Sequence, residues 1–181
     1  MRYAALSFKL IFFAFCSYLF IFMLFSYDPA SREFQPPFAI FVLDTINLFI
    51  HEAGHLFLRP FGMWMHMIGG SFMQCFLPFA LLVVTWRQKP EQIAYPALWL
   101  GENLVNVSVY IRDAPFKHLR LIAQGLIHDW NWLLSGNLDW AEPLGLTVFI
   151  SGILLSGSAI VYGVYSAILV YRDTPDVDIL E

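Results

Sequence analysis

The segment from His51 to His55 reads His-Glu-Ala-Gly-His, and these residue types at this spacing can do chemistry. On a helix, side chains four residues apart lie on one face about 5–6 Å from each other, so both imidazoles can reach one Zn²⁺ at about 2.0–2.1 Å. Glu52 points off that face and lies beside the metal, where it can take a proton from bound water. The pattern predicts a zinc hydrolase site with His51 and His55 as ligands and Glu52 as general base.

A third ligand must come from elsewhere in the chain, because a catalytic zinc site usually has three protein ligands and one open position. The downstream side chains that can supply it are Glu102, Asp113, His118, His128 and Asp129. We predict His128, which begins a tryptophan-rich stretch that can fold back to the membrane. Asp129 is the alternative, as a ligand or as a hydrogen-bond partner that orients an imidazole. Asp113 is the next candidate.

The elements that position these residues are predicted from composition. Of the 181 residues, 59% are hydrophobic and only 13% are charged, which is far more apolar than a soluble domain. We therefore predict an integral membrane protein with lipid as its surroundings. The net charge of -4 and the lack of a basic run give no indication of nucleic-acid binding. Cys16 and Cys75 lie in apolar segments and are interpreted as small hydrophobic residues.

Five segments are long enough to cross a hydrocarbon core of about 30 Å, which takes about 20 apolar residues. They cover residues 7–27, 38–58, 68–86, 92–111 and 144–171. Residues 113–142 mix charges with tryptophans, which predicts an interfacial segment containing a short amphipathic or re-entrant helix. The predicted fold class is therefore all-α, a single transmembrane bundle of about five spans.

Two of these segments carry polar stripes. On the motif helix, Asp44 and Asn47 share the face of the two histidines, but Asp44 is about 10 Å along the axis from His51. We predict that Asp44 takes part in hydrogen bonding or a proton path rather than in metal binding. The fourth segment carries a polar face made of Asn103, Asn106, Tyr110 and Asp113. Because polar groups are costly in a membrane, we expect that face to lie against the motif helix or to hold the bundle together.

The last segment carries a stripe of small residues, which allows another helix to approach closely. It consists of Gly152, Ser156, Ala159, Gly163 and Ala167. The partner helix can belong to this chain, to a second copy or to a larger complex. A separate cluster contains Met63, Met65, His66, Met67 and Met73. Thioethers favour Cu(I), although flexible packing is the alternative interpretation.

The apolar helix with His-Glu-Ala-Gly-His resembles the site-2-protease class of membrane-embedded zinc metallopeptidases. The resemblance implies zinc binding by His51 and His55, with Glu52 as general base for cutting peptide bonds within or near the membrane. The family's third ligand is an aspartate in an Asn-Pro-Asp-Gly-like motif, and this chain has no Asn-Pro dipeptide. The layout with Gly-Glu-Asn-Leu-Val at residues 101–105 and His-Asp-Trp at residues 128–130 is also similar to small, largely uncharacterised bacterial membrane proteins. That similarity implies a bacterial inner membrane.

Three functions are consistent with these features, and the third of them is metal transport along a polar path from the region of Met63 and Met67 to His51. The first is a zinc-dependent intramembrane hydrolase, foremost a metallopeptidase that acts on a transmembrane peptide. The second is a non-enzymatic metal-binding subunit of a larger complex, which docks through the small-residue face of the last helix. Exchange of Glu52 for Gln separates the first two, because only an enzyme loses turnover.

Overall fold

The computed structural model describes residues 2–119 and 127–173, and all regular structure within them is helical. The helices are α1 (Arg2–Phe25), α2 (Phe38–Leu58), α3 (Met63–Gln88), α4 (Ala94–Arg112), α5 (Asp129–Leu133) and α6 (Ala141–Asp173). Three short 3₁₀ turns cover Arg59–Phe61, Pro90–Gln92 and Leu138–Trp140. The prediction of an all-α fold is confirmed for the described residues.

Three helical stretches are long and apolar enough to cross a membrane: Tyr3–Phe25, Met63–Gln88 and Leu138–Asp173. The prediction of about five spans is therefore not confirmed. The other two predicted segments are helical, as α2 and α4, but polar and charged side chains interrupt their apolar sequence. These are the two helices that carry the predicted polar stripes.

Large apolar side chains cover the outside of the bundle, and polar side chains lie inside it. Phe8, Phe25, Phe38 and Val161 are each more than 70% exposed, whereas Asn103 is fully buried. Exposed large apolar side chains on α1, α2, α3 and α6 together form a surface far more extensive than the patches that soluble monomers expose. The distribution therefore indicates association with a membrane.

A tight turn returns the chain from α2 to α3. Pro60 lies in the first positions of the 3₁₀ turn that follows α2, where a missing N–H is tolerated. Gly62 then adopts φ 97°, a left-handed conformation that glycine reaches without steric cost. As a result α3 packs back against α2 along its length.

Helix α4 forms the centre of the bundle, packing against α6 and α3, while α1 covers another part of α6. The small-residue face of α6 makes these contacts. A Cβ on Gly152 would lie 2.7 Å from the carbonyl oxygen of Gly101 on α4, and a Cβ on Gly163 would overlap the ring of Phe13 on α1. The partners of this face are therefore α4 and α1 of the same chain.

The predicted interfacial segment, residues 113–142, includes residues 120–126, which lie outside the described residues. The described part contains the short helix α5, which packs against α3 and α4. Trp140 is 63% exposed, as expected for a side chain at headgroup level. Trp130 instead turns inward, and its indole N–H donates to Ser71 Oγ at 3.0 Å.

Candidate metal centre

The crossing of α2 and α3 positions the two histidines of the motif. A Cβ on Gly69 would lie 2.8 Å from the carbonyl oxygen of Gly54, so the two backbones are in contact at this point. A Cβ on the next residue, Gly70, would overlap Nε2 of His51. The two glycines of α3 therefore allow close approach of the helices and leave space for an imidazole. The rings of His51 and His55 lie with their centroids 4.8 Å apart.

Asp129, the first residue of α5, completes a group with these histidines. Its Oδ2 lies 3.0 Å from Nε2 of His51 and 3.1 Å from Nε2 of His55. The three ligand atoms all lie within 4.8 Å of one another, and His51 and Asp129 are buried. His51, His55 and Asp129 can therefore hold a metal ion.

His128 was expected in the third position, but the structure places it outside this group. Its Nδ1 accepts the backbone N–H of Asn131 at 3.2 Å and so caps the start of α5. Its Nε2 lies 3.3 Å from Oδ2 of Asp113 and donates to it. Burial lowers the pKa of His128, which favours the neutral ring that this capping needs. Asp129, the alternative candidate, takes the place predicted for His128.

The remaining candidates for the third ligand also lie elsewhere. Asp113 accepts the backbone N–H groups of His118 and Leu119, both at 2.9 Å, and thereby holds the chain after α4. Glu102 is buried between α4 and α2, where it accepts a hydrogen bond from Asn47. Neither carboxylate belongs to the metal group formed by the described residues.

Side chains of α2 and α4 contact the carboxylate of Asp129, and α3 holds the helix that carries it. The Tyr110 hydroxyl on α4 lies 3.1 Å from Oδ2 and also accepts the backbone N–H of Asp129 at 3.2 Å. The bond from Trp130 to Ser71 fixes α5 on α3. Burial alone would raise the pKa of Asp129, but the contacts with His51 and His55 outweigh it and lower the pKa to about 2. The carboxyl group of Asp129 is therefore ionised at neutral pH.

The outer nitrogens of both histidines are engaged by α3. Nδ1 of His55 lies 2.7 Å from the carbonyl oxygen of His66, which can only accept, so this nitrogen carries the proton. Nδ1 of His51 lies 3.2 Å from Oε1 of Gln74. The Gln74 amide nitrogen donates to Oδ1 of Asn106 at 2.8 Å, which fixes its oxygen toward His51. Both imidazoles therefore hold their proton on Nδ1.

The consequence is that three acceptors converge on one point. Because each Nδ1 already carries a proton, Nε2 of a neutral ring presents a lone pair to the carboxylate oxygen of Asp129 about 3 Å away, and only a second ring proton, or a cation in its place, can bridge the two atoms. A metal ion bound by all three atoms would take the place of those ring protons. Histidines that bind metals characteristically donate their other ring N–H to a carbonyl or carboxylate, as both do here. Two imidazoles and one carboxylate form a donor set that suits Zn²⁺.

A cavity of about 1670 Å³ opens beside this group. Its wall includes all three members of the group together with Glu52, which is half-buried. Glu52 is therefore placed beside the metal group and not within it, as the helical spacing predicts. Met63 and Met67 line the same cavity.

Two residues of α3 that shape the site, Gln74 and Gly70, were not predicted from the sequence. Gln74 is the only amide in the apolar segment 68–86, and such a polar residue in a membrane helix is a signal of function or of interhelical bonding. Gly70 had no comparable signal, because its role depends on which α3 residue lies opposite His51. That register exists only once the two helices pack.

Comparisons with protein-family models, with characterised proteins and with solved structures give no match for this chain. The resemblance to site-2 proteases remains a prediction from the motif. The geometry of the metal group, the base beside it and the cavity are the features from which a function can be inferred.

Proposed function

We propose that this protein is a membrane-embedded zinc-dependent hydrolase, specifically a site-2-protease-like metallopeptidase. In this proposal His51, His55 and Asp129 bind zinc, and Glu52 is the general base. The observation that supports it most is the convergence of two Nε2 atoms and a carboxylate oxygen at about 3 Å, with both Nδ1–H groups already donating to α3. Such an arrangement favours a cation in the wall of the cavity.

The chemistry follows from the residues around that cavity. Bound zinc lowers the pKa of a coordinated water from about 15.7 to about 7. Glu52 accepts one proton as the water oxygen forms its bond to the peptide carbonyl carbon. It then delivers that proton to the leaving amine nitrogen as the C–N bond breaks. Asp129 and the histidines are ligands and hold no transferable proton in this scheme.

The proposed substrate is a peptide segment from the membrane. The apolar exterior of the bundle is in contact with lipid in this proposal, and the cavity beside Glu52 is large enough to admit an extended segment. A helical substrate has its amides bonded within its own backbone, so cleavage requires local unwinding. Transmembrane peptides with helix-breaking residues near the scissile bond are therefore the preferred substrates.

Exchange of Glu52 for Gln tests the proposal. We expect Glu52→Gln to keep one zinc per chain by elemental analysis and to lose turnover of a glycine-containing transmembrane peptide by about 10²- to 10⁴-fold, because only the base is removed. Glu142→Gln, an exposed exchange of the same chemistry, is the control and should leave turnover unchanged. Normal turnover in Glu52→Gln would contradict the proposed role.

The ligand assignment has its own matched pair of variants. Asp129→Ala should lose zinc, whereas His128→Ala, its neighbour in the sequence, should retain it because His128 caps α5 and bonds to Asp113. The reverse result would restore His128 as the third ligand. The alternative function, a metal-binding subunit that docks through the small residues of α6, is less well supported because α4 and α1 cover that face.

A further inference from the structure

A second polar cluster lies between α2 and α4, where Asp44 lines the same cavity as the metal group without belonging to that group. There the carboxyl groups of Asp44, which is half-buried, and Glu102, which is only 3% exposed, are close enough to affect each other's protonation. None of the ion pairs among the described residues involves either of them. Two carboxylates in contact within a buried region cannot both be ionised, so the pair must hold a proton.

The surrounding hydrogen bonds indicate where that proton lies. Oδ1 of Asp44 accepts the Tyr27 hydroxyl at 2.7 Å and the Asn106 amide at 3.0 Å, and both bonds favour its ionised form. Oε2 of Glu102 accepts the Asn47 amide at 2.7 Å. The other oxygen of Glu102, Oε1, is buried without a donor among the described residues. These bonds favour a neutral Glu102 with the proton on Oε1, while Asp44 keeps the negative charge.

Asp44 is connected to the metal group by two amides. His51 Nδ1–H donates to Gln74 Oε1, the Gln74 amide donates to Asn106 Oδ1, and the Asn106 amide donates to Asp44 Oδ1. All three donors point in the same direction and end on the anion. Hydrogen bonds in series polarise one another, so a negative charge at the far end makes Nε2 of His51 a stronger ligand.

We propose that Asp44 and Glu102 form a proton-binding site that sets the metal affinity of the His51–His55–Asp129 group through the Asn106 and Gln74 amides. Asp44 and Glu102 are positioning residues here and contact no metal. The affinity is high while the pair holds one proton, and it falls when a second proton neutralises Asp44.

The inference depends on metal binding by the group and does not depend on hydrolysis. The other titratable side chains that act on the pair are Tyr27 from the end of α1 and Cys75 from α3. Both are uncharged at neutral pH, so the pair itself is the source of the charge.

Zinc affinity of the purified full-length protein, measured at pH 7 by competition with a chromophoric chelator, tests the connection. Asp44→Asn should weaken zinc binding by about 10- to 100-fold, the range found when outer partners of ligating histidines are removed. Asn106→Leu conserves size and leaves the charge of Asp44, yet it interrupts the chain and should cause a similar loss. The variant that combines both exchanges should have the same zinc affinity as the single variant with the lower affinity, because both exchanges remove one shared interaction.

Two further variants complete the design. Asp139→Asn, an exposed exchange outside the chain of hydrogen bonds, should bind zinc like the wild type. Glu102→Gln should stay within about threefold of the wild type, because a neutral amide replaces a neutral acid and leaves the charge on Asp44. In infrared spectra at pH 7, the C=O band of a protonated carboxylic acid should be present in the wild type and in Asn106→Leu and absent in Glu102→Gln.

The outcomes are distinguishable. Wild-type zinc affinity in both Asp44→Asn and Asn106→Leu would overturn the connection to His51, as would a fully additive loss in the double variant. The lack of a band sensitive to Glu102→Gln would overturn the proton-binding site. If Asp44→Asn fails to fold, Asn106→Leu alone decides the connection. A wild type that binds no zinc would instead refute the metal centre and the proposed hydrolase.

Discussion

The crossing of α2 with α3 and the crossing of α4 with α6 are both built on contacts between glycines, but they differ in what the contact supports. In each, two glycines bring the helix backbones into contact: Gly54 with Gly69, and Gly101 with Gly152. Beside the second pair lies Ser156, fully buried, whose hydroxyl has no hydrogen-bond partner among the described residues. At its glycines the α4–α6 crossing therefore contributes packing, and its ion pair, Arg112 with Glu142, lies at the exposed end of the two helices.

The α2–α3 crossing also supports the candidate metal centre, because polar acceptors lie one turn away from its glycines. Close approach brings the acceptors of α3, Gln74 Oε1 and the carbonyl oxygen of His66, to the Nδ1 atoms of the two histidines on α2. Helix α3 supplies no ligand, yet it fixes the proton position on both ligands. Small residues thus set the distance between helices, and the neighbouring polar residues decide whether that distance serves chemistry.

The largest expected effect comes from Gly70→Ala, which changes the α2–α3 crossing at the ligand itself. The added Cβ would overlap Nε2 of His51, so the ring must leave its position. We expect zinc affinity to fall by more than about 100-fold, beyond the range for loss of an outer partner. Competition with a chelator measures it, and Gly157→Ala on α6, where a Cβ meets nothing closer than 3.7 Å, is the matched control.

A smaller effect is expected from paired exchanges at the two crossings. Gly54→Ala and Gly152→Ala each place a methyl group against a facing backbone and should each destabilise the fold by about 1–3 kcal/mol. Only Gly54→Ala should also weaken zinc binding, by about tenfold, since it moves α3 away from both histidines. Thermal unfolding and zinc affinity, measured on both variants, separate the two effects. Equal loss of zinc in the two variants would remove the distinction between the crossings.

The sequence predicts the helices and part of the site for a physical reason. Helical periodicity and the four-residue spacing of His51 and His55 are local properties, so the paired imidazoles with Glu52 beside them could be placed without a tertiary structure. Asp44 was also predicted as a hydrogen-bonding residue, because its distance along α2 excludes it from the metal. Its bonds to Tyr27 and Asn106 confirm that part of the prediction.

The third ligand could not be predicted because it depends on a difference of one residue. His128 and Asp129 are neighbours, and either side chain suits a metal. The choice follows from the start of α5: His128 caps the helix through Nδ1 and bonds to Asp113, which directs Asp129 toward the two histidines. Such an orientation requires contacts between α4, α5 and α3 that are distant in sequence.

The smallest expected effect concerns the indirect attachment of the third ligand to α3. Ser71→Ala removes the acceptor of the Trp130 indole N–H, a single hydrogen bond worth about 0.5–1.5 kcal/mol. Because Asp129 precedes Trp130 on α5, zinc affinity should fall by about threefold, whereas Ser151→Ala on the exposed side of α6 should change nothing. Trp130→Phe should reproduce the loss, and combining it with Ser71→Ala should add nothing more. Additive losses would show that α5 is held to α3 by other contacts, and that the α2–α3 crossing supports only the two histidines.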